Sequence, residues 1–217
     1  MSGWGSGMSM ICWVQVLSPD HIAALRRTPS LASDLARVAQ DDQQRGRLAV
    51  AISRMPVDKR AAAEALYRAS EERNAEARTR LERIGPFEPP LDLEKSWHML
   101  HYLFTGHIDA SRAPGDALLS GKPLGDDVGY GPPRLHDENE TRNFAEFLER
   151  VDAATLQERV NYREMSRAGV YSMPMGQGSD ADYEGELRTE VAAYFPRLRD
   201  YVVKAAEGKD GLLIWLS

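Results

Sequence analysis

The chain has 217 residues, 42% apolar and 28% charged, the composition of a globular domain and not of a disordered one. Lys and Arg number 27 against 33 Asp and Glu, a net charge of −6, which is the wrong overall sign for a surface that neutralises phosphates and argues against a nucleic-acid partner. No apolar run approaches the ~20 residues of a membrane helix, and a lone cysteine, Cys12, cannot close an internal disulfide, so the expectation is a cytoplasmic protein with no membrane partner.

Residues 1–8 read as a flexible leader or expression remnant, leaving 9–217 as one domain. Residues 10–17 are rich in β-branched and aromatic side chains and predict a buried strand. Ser18-Pro19-Asp20 then supplies a helix N-cap with proline at the first helical position, and a second helix is expected from about 30 to 40. The run Leu48-Ala49-Val50-Ala51-Ile52 fits strand or helix equally. Asp58 is expected to cap one long, partly exposed helix over 59–84, rich in Ala, Glu and Arg and stopped by Gly85-Pro86. Pro86-Phe87-Glu88-Pro89-Pro90 is a stiff connector.

Trp97, Leu100, His101 and Phe104 recur at helical spacing and predict the most apolar helix of the chain over 94–104, ended by Gly106. Residues 106–137 are dense in glycine and proline and predict long loops. Helices follow from about 140 and over 152–160. A Gly-rich loop spans 173–182, and a helix over 184–207 is expected to be interrupted or kinked at Pro196. Leu212-Leu213-Ile214-Trp215-Leu216 closes the chain as a buried strand. The whole predicts an α+β fold, a helix-rich single domain around a small sheet in which the strands at 10–17 and 212–216 are possible neighbours.

Several short motifs fall in an order that resembles one family. Met10-Ile11 opens the first strand. Leu93-Glu94-Lys95-Ser96-Trp97-His98-Met99-Leu100-His101-Tyr102-Leu103-Phe104-Thr105-Gly106 follows, then Gly129-Tyr130-Gly131-Pro132, Ala168-Gly169-Val170-Tyr171 and the LLIWL ending. Together these resemble the YfbM-like proteins, a bacterial domain of unknown function, over most of 9–217, with about 41–86 as a helical elaboration. The resemblance implies an α+β fold and supplies no activity either way. Some members are expected to act as immunity proteins beside toxins.

The residues offer no assembled catalytic motif. His98, His101 and His107 form H-x2-H-x5-H, but the third lies past the helix-ending Gly106, so structural roles are expected and no metal. Gly121-Lys122-Pro123-Leu124-Gly125 does not match a phosphate loop, and no cofactor is expected. No serine sits in G-x-S-x-G, and Cys12 lies in a buried strand. The first expectation is therefore a non-catalytic protein-binding module, in concrete form an immunity-type inhibitor of a bacterial toxin. Its contacts would be Asp126, Asp127, Tyr130 and Asp137 on an acidic, aromatic loop surface. The alternative is a small hydrolase or transferase with His101 as general base near the 121–137 loop, which requires His101 to open into a pocket beside a carboxylate.

Overall fold

Gly-Leu-Leu-Ile-Trp-Leu near the end of the chain is apolar apart from the Trp215 indole N–H, and the fold encloses it. It forms the central strand of a sheet covered on both faces, and all six residues are buried. The computed structural model describes residues 10–111 and 114–217, apart from the side chains at 57, 70, 71 and 73. The expected leader at 1–8 lies outside the described residues.

The elements in chain order are β1 (Cys12–Leu17), α1 (Pro19–Arg27), α2 (Ser30–Arg54), α3 (Val57–Arg73) and α4 (Ala75–Glu82). After them come β2 (Leu91–Asp92), α5 (Ser96–Thr105), β3 (Lys122–Pro123), β4 (Arg134–His136) and α6 (Glu138–Arg150). The chain ends with α7 (Ala153–Glu158), α8 (Tyr162–Ala168), α9 (Asp180–Glu207) and β5 (Gly211–Leu216). The sheet order is β2-β1-β5-β4-β3, every pair antiparallel. The two end strands are neighbours in full register, Cys12 opposite Leu216 through Leu17 opposite Gly211.

Alternation along these strands sorts side chains into two cores. Cys12, Val14, Leu212, Ile214 and Leu216 face α5, α6 and α9, while Trp13, Leu17, Leu213, Leu135 and Trp215 face α1 and α2. Helix α5 sits in the larger core and is buried nearly all round. His98 and Met99 are enclosed along with the expected Trp97, Leu100 and His101, and Phe104 meets Phe147 and Phe195 edge-on.

Several boundaries differ from expectation for local reasons. Residues 48–52 are helical, because α2 runs on without a break to Arg54. The segment 59–84 is two helices, not one. The chain leaves the helix at Asn74, which makes no side-chain cap, and α3 starts after Pro56 with no side-chain cap from Asp58. Pro196 does not end α9, which continues through it with Phe195 and Leu198 fully packed against the core. Helix α8 was not expected; Asn161 caps it, accepting from the Glu164 amide, and Gly169 in left-handed conformation ends it.

Candidate functional site

Imidazoles are the first place to look for chemistry, and here the fold uses them internally. His98 Nδ1 accepts from the Tyr171 amide at 2.8 Å, and its Nε2–H donates to the Ile108 carbonyl at 2.8 Å. Both nitrogens are thus committed, and the ring is neutral. Its pKa is pushed below the ordinary value by burial. His101 bonds the Asp109 carbonyl through Nε2 at 3.1 Å, with Nδ1 3.8 Å from Asp116 Oδ1. His136 bonds the Ser120 carbonyl at 3.0 Å, and burial lowers both of these rings as well.

The carboxylate expected beside His101 is present, but the pocket is not: the ring is 0% exposed. Its Nδ1, Asp116 Oδ1, Arg134 Nε and Thr141 Oγ1 are buried without hydrogen-bond partners among the described residues. His101 and Asp116 lie side by side, and Arg134 is near enough to Asp116 to feel its charge. Cys12 is equally enclosed, and burial pushes its thiol up to about 12, so no thiolate forms near neutral pH.

The loop residues expected to meet a partner divide into two groups. Asp126 and Asp127 are exposed. Tyr130 is not the exposed aromatic expected between two glycines, since it is half-buried against the larger core. Asp137 is the N-cap of α6, its carboxylate accepting from the Asn139 and Glu140 amides while Glu140 reaches back to the Asp137 amide. Asp127 also shapes its own loop, with Oδ1 accepting from the Gly129 amide at 2.7 Å and the Gly131 amide at 3.1 Å.

This loop is docked on the start of α2. The Asp126 amide donates to Ser33 Oγ at 2.5 Å, and Arg37 reaches the Asp127 carbonyl at 3.5 Å. Close approach explains Gly125: with φ +83°, an added Cβ would lie 2.4 Å from Ser33 Oγ and 2.7 Å from the Pro29 carbonyl. Gly125→Ala is expected to lift the loop from α2 and cost about 1–3 kcal/mol. Amide exchange at Asp126 checks this, and an unchanged rate would contradict it.

The same helix walls a larger feature that sequence reasoning missed. Leu35 and Val38 of α2, Leu81 of α4, Trp13 of β1 and Phe87 of the connector enclose a groove of about 800 Å³. Prolines 86, 89 and 90 stiffen one wall. Asp42, Glu82 and Glu88 stand at its edge and are exposed, and Arg78 there is tied to Asp42 at 2.6 Å and to Asp41 at 3.3 Å. The arm formed by α2 and α4 is held to the rest by further polar contacts. Arg80 grips the buried Asp34 carboxylate at 2.8 and 3.0 Å, and Gln43 bonds Asp92 of β2. Sequence gave one signal for the groove, the Pro-Phe-Glu-Pro-Pro connector, whose partners come from 35–43 and 78–82.

A model of the domain of unknown function DUF1877 matches residues 8–215. The chain belongs to this family. A similar fold is seen in the crystal structure of YfbM from Escherichia coli, itself a protein of unknown function. The two are 13% identical with a TM-score of 0.54, covering 95% of this chain and 99% of that one. At that identity the likeness concerns the fold alone. No curated protein matches the chain. The match spans the 41–86 arm, so the helices that wall the groove lie within the family's domain.

Proposed function

We propose that this DUF1877 protein is a non-catalytic, cytoplasmic binding protein that receives an apolar segment of a partner protein in the groove between α2, α4 and the 85–90 connector. In concrete form it is an immunity-type inhibitor that occludes the active site of a basic toxin. The observation that carries the reading is the chemistry of the groove itself. It offers aromatic, aliphatic and proline surface at its centre; at its edge Asp42 is paired with Arg78 and Glu88 with Lys204, which leaves the Glu82 carboxylate toward a basic partner. Interfaces of this kind take their affinity from buried apolar anchors and their on-rate from complementary charge, which the −6 balance supplies. Exposed Asp126 and Asp127, docked beside the start of α2, extend the acidic surface. His101 has no exposed surface from which to act as general base, so the hydrolase or transferase reading has no site there.

Affinity capture from the host with the tagged protein tests the proposal. Wild type is expected to retain a stoichiometric basic protein. Val38→Lys, half-buried in the groove wall, is expected to weaken that complex at least about tenfold while leaving the far-ultraviolet spectrum and Tm unchanged. Retention of the same protein by both would place the interface elsewhere.

A further inference from the structure

A second recess, of about 320 Å³, is smaller and of opposite character. Three segments that carry the sequence motifs meet at it: Ile11 beside β1, Glu94-Lys95-Ser96 at the start of α5, and Tyr171 in the turn after α8. Its backbone is unusual. Glu94 (φ +47°) and the neighbouring lining residue Ser172 (φ +60°) adopt left-handed conformations that residues with side chains rarely take. Met99 and Leu187 are buried and form an apolar floor.

The charges around this recess are balanced but unequally engaged. Glu190 accepts from the buried Ser96 hydroxyl at 2.9 Å, which holds its carboxylate in position, and Glu94 stands close to the Tyr194 hydroxyl. Lys95 makes no ion pair or hydrogen bond among the described residues, while Arg47 stands near the Asp92 carboxylate, whose charged form it favours. Lys95 occupies the N-cap position of α5 without a side-chain cap, which leaves the positive end of a ten-residue helix at the recess. A simple anion would meet two carboxylates there and a simple cation two basic side chains. A molecule bearing both charges avoids either conflict.

We propose that this recess binds a small zwitterion with one carboxylate and one ammonium on an apolar body, the chemistry of a free aliphatic α-amino acid. The carboxylate lies toward Lys95, Arg47 and the amide end of α5, the ammonium toward Glu190 and Glu94, and the apolar body on Met99 and Leu187. A volume of 320 Å³ is at the lower end for ligand pockets and suits a molecule of this size. The site is separate from the groove, and neither proposal depends on the other.

Calorimetric titration of the full chain tests it with three probes: L-leucine, 4-methylpentanoate, which lacks the ammonium, and 3-methylbutylamine, which lacks the carboxylate. L-leucine is expected to give saturable binding, with each truncated probe weaker by about tenfold or more. Lys95→Gln and Glu190→Gln, both at exposed positions, are each expected to weaken L-leucine about fivefold or more without lowering Tm. Absence of saturable heat with L-leucine up to about 10 mM, or equal affinity for 4-methylpentanoate, would overturn the proposal.

Discussion

Trp215→Ala is expected to destabilise the protein by about 3–5 kcal/mol, the largest effect of any single substitution considered. Trp215 is 0% exposed on the central strand, and its ring lies parallel to that of Trp13 on the neighbouring strand, at 6.0 Å between centroids and 8° between planes. Truncation removes an indole from the smaller core and leaves a cavity bounded by strands and helices that cannot close together, because β5 is fixed on both sides by β1 and β4. Trp13, freed of its neighbour, also lines the groove, so partner binding should weaken in step. Urea unfolding is the check: the midpoint should fall with little change in slope. Leu66→Ala, at a side chain that is 67% exposed, is the control and should change stability by less than about 0.5 kcal/mol. A loss at Trp215 no larger than at Leu66 would contradict the packing described.

Acidification should have the next largest effect. Burial holds His98, His101 and His136 below their ordinary value of 6.5, whereas in the unfolded chain they take up protons near that value. Below about pH 6.5 the unfolded state therefore binds more protons than the fold, and stability falls with pH until the buried rings themselves protonate. Each ring contributes a slope of at most about 1.4 kcal/mol per pH unit, so the three together contribute at most about 4 kcal/mol per unit. Asp92 and Asp210 act in the other direction. Burial raises both carboxyls above the usual 3.8, so they favour the folded state as they take up protons, and the decline should soften at lower pH. Unfolding free energies at pH 7.0 and 5.5 test this. A profile flat between them would mean that the imidazoles are not enclosed as described.

The contrast between what sequence revealed and what it hid follows from the range of the interactions. Residues 10–17 and 212–216 announce themselves as strands because both faces are covered and the second is apolar apart from the Trp215 indole N–H. Ser18-Pro19 marks the start of α1 through a purely local bond, the Ser18 hydroxyl accepting from the His21 amide. The role of Asp137 was legible by the same rule. Asp137-Glu138-Asn139-Glu140 is a capping-box pattern, and reading its carboxylate as a partner contact overlooked a backbone bond three residues away. Strands β2, β3 and β4 have two or three residues each, too few to show alternation, and owe their conformation to the strands beside them.

Tyr130 illustrates the limit for side chains, since two flanking glycines suggest exposure while the ring packs on a core assembled from distant segments. His101 was placed on the correct face of the correct helix, yet its enclosure depends on Asp109 and Asp116 folding back over it. The groove was the least legible feature. Its walls come from β1, α2, α4 and the proline-rich connector, and no single segment carries more than one side of it.

The most direct test is amide hydrogen exchange of the protein alone and in complex with its captured partner. A partner seated in the groove should slow exchange over residues 35–43 and 78–88, leaving the buried α5 unchanged. Protection confined to 126–137, with 35–43 and 78–88 exchanging as in the free protein, would contradict the assignment of the groove as the binding face.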